Sequence, residues 1–261
     1  MSSEHTTYEV RGPLAFLTFN RPEARNAMTW EMYQSLTDAC DRVDDAKSVR
    51  VLILRGAGGK AFVAGTDIAQ FQSFKDREDG VKYEERLDAV LDRLERVTKP
   101  TIAQVQGVAA GGGCMIALTC DLRIATPDST FGVPVARTLG NCLSSASCGR
   151  LLALMGPARL KEMIFSARLI GAAEANAAGF VNRLVDPSEI AQVVETMALE
   201  IAGHAPLTLF ATKEMIRRLV AKQRLAHEEE SDLIERCYTS ADFREGVTSF
   251  LEKRKPRWSG S

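Results

Sequence analysis

Two glycine-rich stretches carry residue types and spacings that could do chemistry. In GVAAGGGCMIALTCD (107–121), a strand-like run, TIAQVQG (101–107), ends in two alanines and the consecutive glycines Gly111, Gly112 and Gly113. A helical pattern begins immediately afterwards at Cys114. A glycine run at a helix start bares backbone N–H groups, and no Cβ keeps a ligand away. The helix dipole directs its positive end to the same spot, so a phosphate or the oxyanion of a polarised carbonyl would be stabilised there. Close helix–strand packing is the alternative use of the same glycines. In the second stretch, VLILRGAGGKAFVAGTDI (51–68), an apolar strand again leads to glycines, and AGTD supplies another loop of exposed amides. Two such loops could converge on one carbonyl oxygen.

The elements that must position these loops follow from periodicity. YEVRGPLAFLTFN (8–20) predicts a hairpin turning at Gly12-Pro13. RPEARNAMT is a loop closed by Thr29 as an N-cap, after which Met32, Leu36, Cys40 and Val43 recur at helical spacing. A strand covers 51–55, an amphipathic helix runs from 81 to 97 and Lys99-Pro100 ends it. LRIAT (122–126) is a short strand. Residues 129–145 are loop-like, and a loop of that length beside a glycine-rich site is a place for function. Helices are expected at 149–167, 172–179, 189–203 and 206–222, with a last short strand at FVNRLV, and the tail ends in a basic cluster. Alternating strands and helices give an α/β fold with mostly parallel strands.

Composition bounds the function. The chain has 261 residues, enough for one large core or a domain with an appendage. A formal net charge of −1 gives no global attraction to nucleic acid or an anionic membrane, so neither is expected as a partner. No apolar run is long enough to span a membrane, and MSSEHTTYEV lacks the features of a secretory signal. Six cysteines without CxxC spacing read as reduced core residues of a cytoplasmic protein. His5, His204 and His227 show no metal-ligand spacing, so no metal is expected.

The AGTD loop and the GGG helix together resemble the enoyl-CoA hydratase/isomerase (crotonase) family, from FNRPEARNAM through the FLEKRKP tail. The resemblance implies a spiral of ββα units over residues 1–200 and a helical oligomerisation region over 201–261, with a trimer or a dimer of trimers. It implies an acyl-CoA thioester as substrate, a place in fatty acid metabolism, and no cofactor beyond the coenzyme A that the substrate carries. The oxyanion donors fall on the backbone amides of Thr66 and Gly112. Around them, Ala24, Arg25, Lys60, Ala64, Asp67, Ile68, Gly111, Arg137, Phe250 and Lys253 are candidate substrate-binding residues. Among these, Asp67 has an alternative use as a helix cap, and Arg137 is a candidate clamp for a carboxylate. Arg25, Lys60, Lys253, Arg254 and Lys255 are the local cations available to CoA phosphates.

The resemblance departs at the chemistry. The family's two glutamates fall on Met115 and Val135, neither of which can transfer a proton. Cys142 is a candidate low-pKa thiol, with burial as a structural cysteine the alternative. On the 83–92 helix Glu84, Glu85, Asp88 and Asp92 read mostly as a solvated face, with Glu85 and Asp88 singled out. Isomerisation or another enolate reaction is therefore expected in place of two-glutamate hydration. Two rivals stand beside it: a non-catalytic acyl-CoA-binding protein, and an NAD-dependent oxidoreductase suggested by GAGGKA (56–61), which lacks the long helix that its fingerprint needs.

Overall fold

The computed structural model describes residues 4–74, 77–222, 225–226 and 229–260. His227 lies outside the described residues. The strands are β1 (Thr6–Arg11), β2 (Leu14–Phe19), β3 (Val51–Gly56), β4 (Ala61–Val63), β5 (Thr101–Val105), β6 (Val108–Ala110), β7 (Leu122–Ala125), β8 (Thr130–Gly132), β9 (Ile170–Gly171) and β10 (Arg183–Leu184). The helices are α1 (Trp30–Asp45), α2 (Arg77–Glu95), α3 (Gly112–Thr119), α4 (Val135–Thr138), α5 (Ser145–Ser166), α6 (Ala172–Ala177), α7 (Ile190–Ala202), α8 (Pro206–Ala221), α9 (Ser231–Tyr238) and α10 (Ala241–Leu251).

Two sheets organise the chain. A six-stranded sheet runs β1-β2-β3-β5-β7-β10 and a four-stranded sheet runs β4-β6-β8-β9. Apart from the β1–β2 hairpin and the β8–β9 pair, every pairing is parallel. Each turn of the chain places one strand in the large sheet, the next in the small sheet, and then a helix: β3-β4-α2, β5-β6-α3 and β7-β8 followed by α4 and α5. This is the expected spiral of ββα units.

Both faces of the large sheet are covered, which explains why its strands read as continuous apolar runs instead of alternating ones. Leu14, Phe16, Val51, Ile53, Ile102 and Ile124 face α7 through Ile190, Val194 and Ala198. The opposite residues, among them Leu17, Phe19, Leu52, Leu54 and Val105, join the main core. Helix α3 is buried from Gly113 to Thr119, on all sides, as a helix without a polar face must be. Each large apolar side chain buried in this way contributes about 1.5–3 kcal/mol.

Several boundaries differ from the sequence expectation: the 129–145 stretch, expected as a loop, holds β8 and α4, and α2 spans Arg77–Glu95 where periodicity predicts 81–97. The strand expected over 101–107 ends at Val105 and a second strand starts at Val108, because Gly107 takes φ +69° and turns the chain from one sheet into the other. A β-carbon there would lie 2.2 Å from the Lys60 carbonyl oxygen, so only glycine fits this corner. Helix α5 starts at Ser145, capped by Ser144 Oγ, and is kinked at Gly156 ahead of Pro157. FVNRLV contributes only the two-residue β10. In the C-terminal third, α9 and α10 fold back so that Tyr238, Phe243 and Val247 belong to the main core beside α2.

Candidate active site

The AGTD loop is held in place by the loop before α1. Asn26 is fully buried with φ +57°, a left-handed conformation that asparagine tolerates. Its Nδ2 donates to the Ala57 and Ala61 carbonyls at 3.0 and 2.8 Å, and its Oδ1 accepts from the Arg21 amide at 2.9 Å. Residues 25–28 then lie along the AGTD loop: Ala64 N–H donates to Arg25 O (3.1 Å), Met28 N–H to Gly65 O (2.8 Å) and Asp67 N–H to Met28 O (2.9 Å). These bonds use the carbonyl of Gly65 and the amide of Asp67 along one edge. In extended backbone the amide between them, on Thr66, faces the other way.

That other side is a pocket of ≈ 130 Å³. Ala64, Thr66, Ile68, Gly111, Gly112, Met115, Val135 and Phe250 all line it, so eight of the residues expected from the sequence are brought together. Gly111 precedes α3 with φ +50° and ψ −123°, and Gly112 opens the helix, where an amide has no partner within the helix. The two loops touch: a β-carbon on Gly112 would stand 2.4 Å from Tyr33 Oη and 3.2 Å from Thr66 Oγ1. Thr66 Oγ1 is hydrogen-bonded to Tyr33 Oη (2.8 Å) and Tyr83 Oη (3.0 Å), which fixes the loop from α1 and α2 together. Close packing is a second use of the same glycines, since a β-carbon on Gly113 would meet the Val63 carbonyl oxygen at 2.0 Å.

Other expected residues lie elsewhere. Arg25, Lys60, Arg137 and Lys253 are exposed, and none of them lines the pocket; nor does the half-buried Ala24. Asp67 caps the turn after it through the Ala69 amide (3.1 Å) and pairs with Arg21 at 2.7 Å. Of the tail cations, Arg254 pairs with Glu245 and Glu252 at 2.6 Å each, while Lys255 is exposed. Cys142 is not the low-pKa thiol of the expectation. The neighbouring Cys237 and burial push its pKa up, whereas Cys142 beside it lowers Cys237 to about 7. Burial pushes Cys40, Cys114 and Cys120 up to about 12, which suits inert core thiols.

The solvated-face reading of α2 is corrected at two positions, Glu84 and Asp88. Glu85, singled out from the sequence, is exposed and does not line the pocket, whereas Glu84 is 2% exposed and does. Its Oε1 accepts a hydrogen bond from Tyr238 Oη on α9, and Tyr238 Oη accepts one from Asn141 Nδ2 at 3.0 Å. Its Oε2 is buried without a hydrogen-bond partner among the described residues. Burial pushes the Glu84 pKa up to about 8, against the Tyr238 hydrogen bond and the Ser144 amide, and nearby Asp88 and Glu230 add to the rise. Asp88 is also buried and raised by burial, but it accepts from Ser144 Oγ (2.9 Å) and lies 3.7 Å from Arg150 Nη1. The sequence does hold the signal: Glu84, Leu87, Asp88 and Leu91 share one helical face, spaced three and four apart.

Residues 9–261 match the model of the enoyl-CoA hydratase/isomerase family. The chain belongs to that family. It is 36% identical to the short-chain-enoyl-CoA hydratase of Clostridium acetobutylicum, over 98% of this chain and 97% of that one. It is also 36% identical to the crotonyl-CoA hydratase of Syntrophomonas wolfei subsp. wolfei, over 98% of each chain. Among solved structures, a methylmalonyl-CoA decarboxylase complexed with 2S-carboxypropyl-CoA superposes with a TM-score of 0.91 at 30% identity, covering 100% of both chains. The fold is therefore the crotonase fold, and the protein is an acyl-CoA enzyme of this family. After β3, GAGGKA leads through a turn into β4, so the helix that a dinucleotide fingerprint requires is replaced by a strand. No described helix is long and apolar enough to cross a membrane.

Proposed function

We propose that this enzyme forms the enolate of an acyl-CoA thioester in an oxyanion hole made by the Thr66 and Gly112 amides. On this reading it relocates a proton on the acyl group, an isomerisation, and does not add water by a two-carboxylate route. The observation that carries it is the meeting of the AGTD loop and the α3 N-terminus at one pocket whose walls at 115 and 135 are Met and Val. Two fixed amides favour charge that develops on the thioester oxygen, and each such donor is worth roughly 10²–10³ in rate. Water addition needs one group to activate water and another to protonate the α-carbon, and neither Met115 nor Val135 supplies one. No cofactor is required beyond the CoA of the substrate.

A second reading, decarboxylation of a 2-carboxyacyl-CoA, is favoured by the likeness to the methylmalonyl-CoA decarboxylase over the whole of both chains. It passes through the same enolate, and the pocket's apolar walls would disfavour a bound carboxylate relative to the spread charge of the enolate. Incubation with saturated, 2-enoyl-, 3-enoyl- and 2-carboxyacyl-CoAs in heavy water, read by mass spectrometry, separates the readings. Double-bond migration with deuterium at the α- or γ-carbon is expected. Loss of CO₂ would move the assignment to the second reading, and addition of water would overturn both. Binding without any turnover would leave a silent acyl-CoA binder.

The same reading carries a homo-oligomer, a trimer or a dimer of trimers. Its support is the run of exposed apolar residues on α8, namely Leu207, Phe210, Met215, Ile216 and Leu219. Light scattering on the purified protein would test it, and a monomer at micromolar concentration would overturn it.

A further inference from the structure

Among the described residues lining the pocket, Glu84 supplies the only carboxyl group. Its setting is that of a group held back from ordinary structural use. A buried carboxyl kept for stability is satisfied at both oxygens or paired with a cation. Here one oxygen is anchored and the other has no partner among the described residues. Among the described residues the groups around it offer no positive charge. On α2 they are Tyr83 and Asp88; from α9 and the residue before it, Tyr238 and Glu230; from α1, Tyr33; from the loop and helix after α4, Cys142 and Cys148. The buried cation of this region, Arg150, is taken up by Asp88, Asp92 and Glu95.

We propose that Glu84 is the catalytic proton carrier of this enzyme, with Oε2 exchanging the proton at the acyl carbons and Tyr238 positioning the carboxyl through Oε1. The inference rests on the enolate reading above. In the forward step the Cα–H bond of the acyl group breaks, its proton forms an O–H bond at Oε2, and the electron pair moves to the thioester oxygen as an enolate. In the return step the enolate collapses and the O–H proton forms a C–H bond, at the γ-carbon when the acyl group is unsaturated. One carboxyl suffices for both steps, and no water, oxidant or second acid is consumed. Burial that holds the carboxyl pKa near 8 matches the group to proton exchange close to neutral pH.

The test uses Glu84→Gln, which keeps the shape and the capacity to bond to Tyr238, with circular dichroism to confirm folding. Two readouts are taken on butyryl-CoA labelled with ¹³C at the carbonyl: exchange of α-hydrogen for deuterium by NMR, and the carbonyl stretch of the bound thioester by infrared difference spectroscopy. The expected result is a loss of exchange of about 100-fold or more with the lowered carbonyl frequency retained. Exchange within about threefold of the parent enzyme, with the frequency still lowered, would overturn the Glu84 assignment and leave the enolate reading standing. A parent enzyme that neither lowers the carbonyl frequency nor exchanges would remove the enolate reading, and the Glu84 role with it. Tyr238→Phe gives a second test. Its O–H favours the carboxylate, so its loss moves the exchange midpoint to higher pH. A midpoint unmoved in that variant would reduce Glu84 to a structural residue.

Discussion

Glu84 and Asp88 lie one turn apart on the same face of α2, both buried, yet their surroundings give them different work. Asp88 meets Ser144 Oγ at 2.9 Å and the Arg150 guanidinium at 3.7 Å, and Arg150 also binds Asp92 and Glu95. Each carboxyl keeps one buried oxygen without a hydrogen-bond partner among the described residues, but Glu84 meets a tyrosine hydroxyl where Asp88 also has a cation. Burial raises both pKa values, but a cation opposes the rise at Asp88 and only neutral donors oppose it at Glu84. The difference teaches that a buried carboxyl becomes structural when a cation is within reach and chemically available when none is.

The strongest way to break this contrast is to remove the cation. Arg150→Met leaves Asp88, Asp92 and Glu95 without their shared partner, and the expected loss is about 3–5 kcal/mol of stability in urea denaturation. A loss below about 1 kcal/mol would show that the network is not held by that charge. Adjacent glycines sharpen the same distinction between frame and site. Gly113→Ala drives a methyl against the Val63 backbone carbonyl and should cost about 1–3 kcal/mol or more, whatever stands at position 33. Gly112→Ala collides with the hydroxyl of Tyr33, so adding Tyr33→Phe should recover part of its loss. Equal recovery for both glycines would contradict the contacts described.

A smaller effect concerns pH. Glu84 in the folded chain holds its proton up to about pH 8, whereas the unfolded chain releases it near pH 4.5. The stability it contributes is therefore full below pH 4.5 and is lost as the pH rises toward 8. Glu84→Gln should flatten that decline in thermal unfolding between pH 5 and about 8, and an unchanged slope would place the carboxyl outside it. Smallest in structural terms is thiol reactivity. Cys237, lowered to about 7 by Cys142, should be alkylated by iodoacetamide before Cys40, Cys114 or Cys120 at neutral pH, as peptide mapping would detect.

Much of this molecule could be read from the chain alone, because its signals are local. The strand-to-glycine transitions at 51–68 and 101–113, the Thr29 cap and the α/β alternation all depend on neighbours in sequence. What escaped depends on residues far apart. Gly107 turns a corner because of Lys60, and Asn26 anchors a loop through carbonyls 31 and 35 residues away. Glu84 looked like part of a charged helix face because its partner, Tyr238, comes 154 residues later. Periodicity ranks helix faces by apolar content, and a face carrying two acids among leucines ranks low.

That separation gives the enzyme an order of assembly. As the chain leaves the ribosome, the AGTD loop and the amides of α3 emerge long before α9. The group bound to Glu84 arrives with α9, 154 residues after it. Helices α1 and α3 cover α2 in part, and the docking of α9, which brings Tyr238 to Glu84, completes its burial. Contacts of such sequence separation form late and slowly. On the proposed reading the nascent protein thus makes the amides that would hold charge on a thioester well before the helix that closes over Glu84.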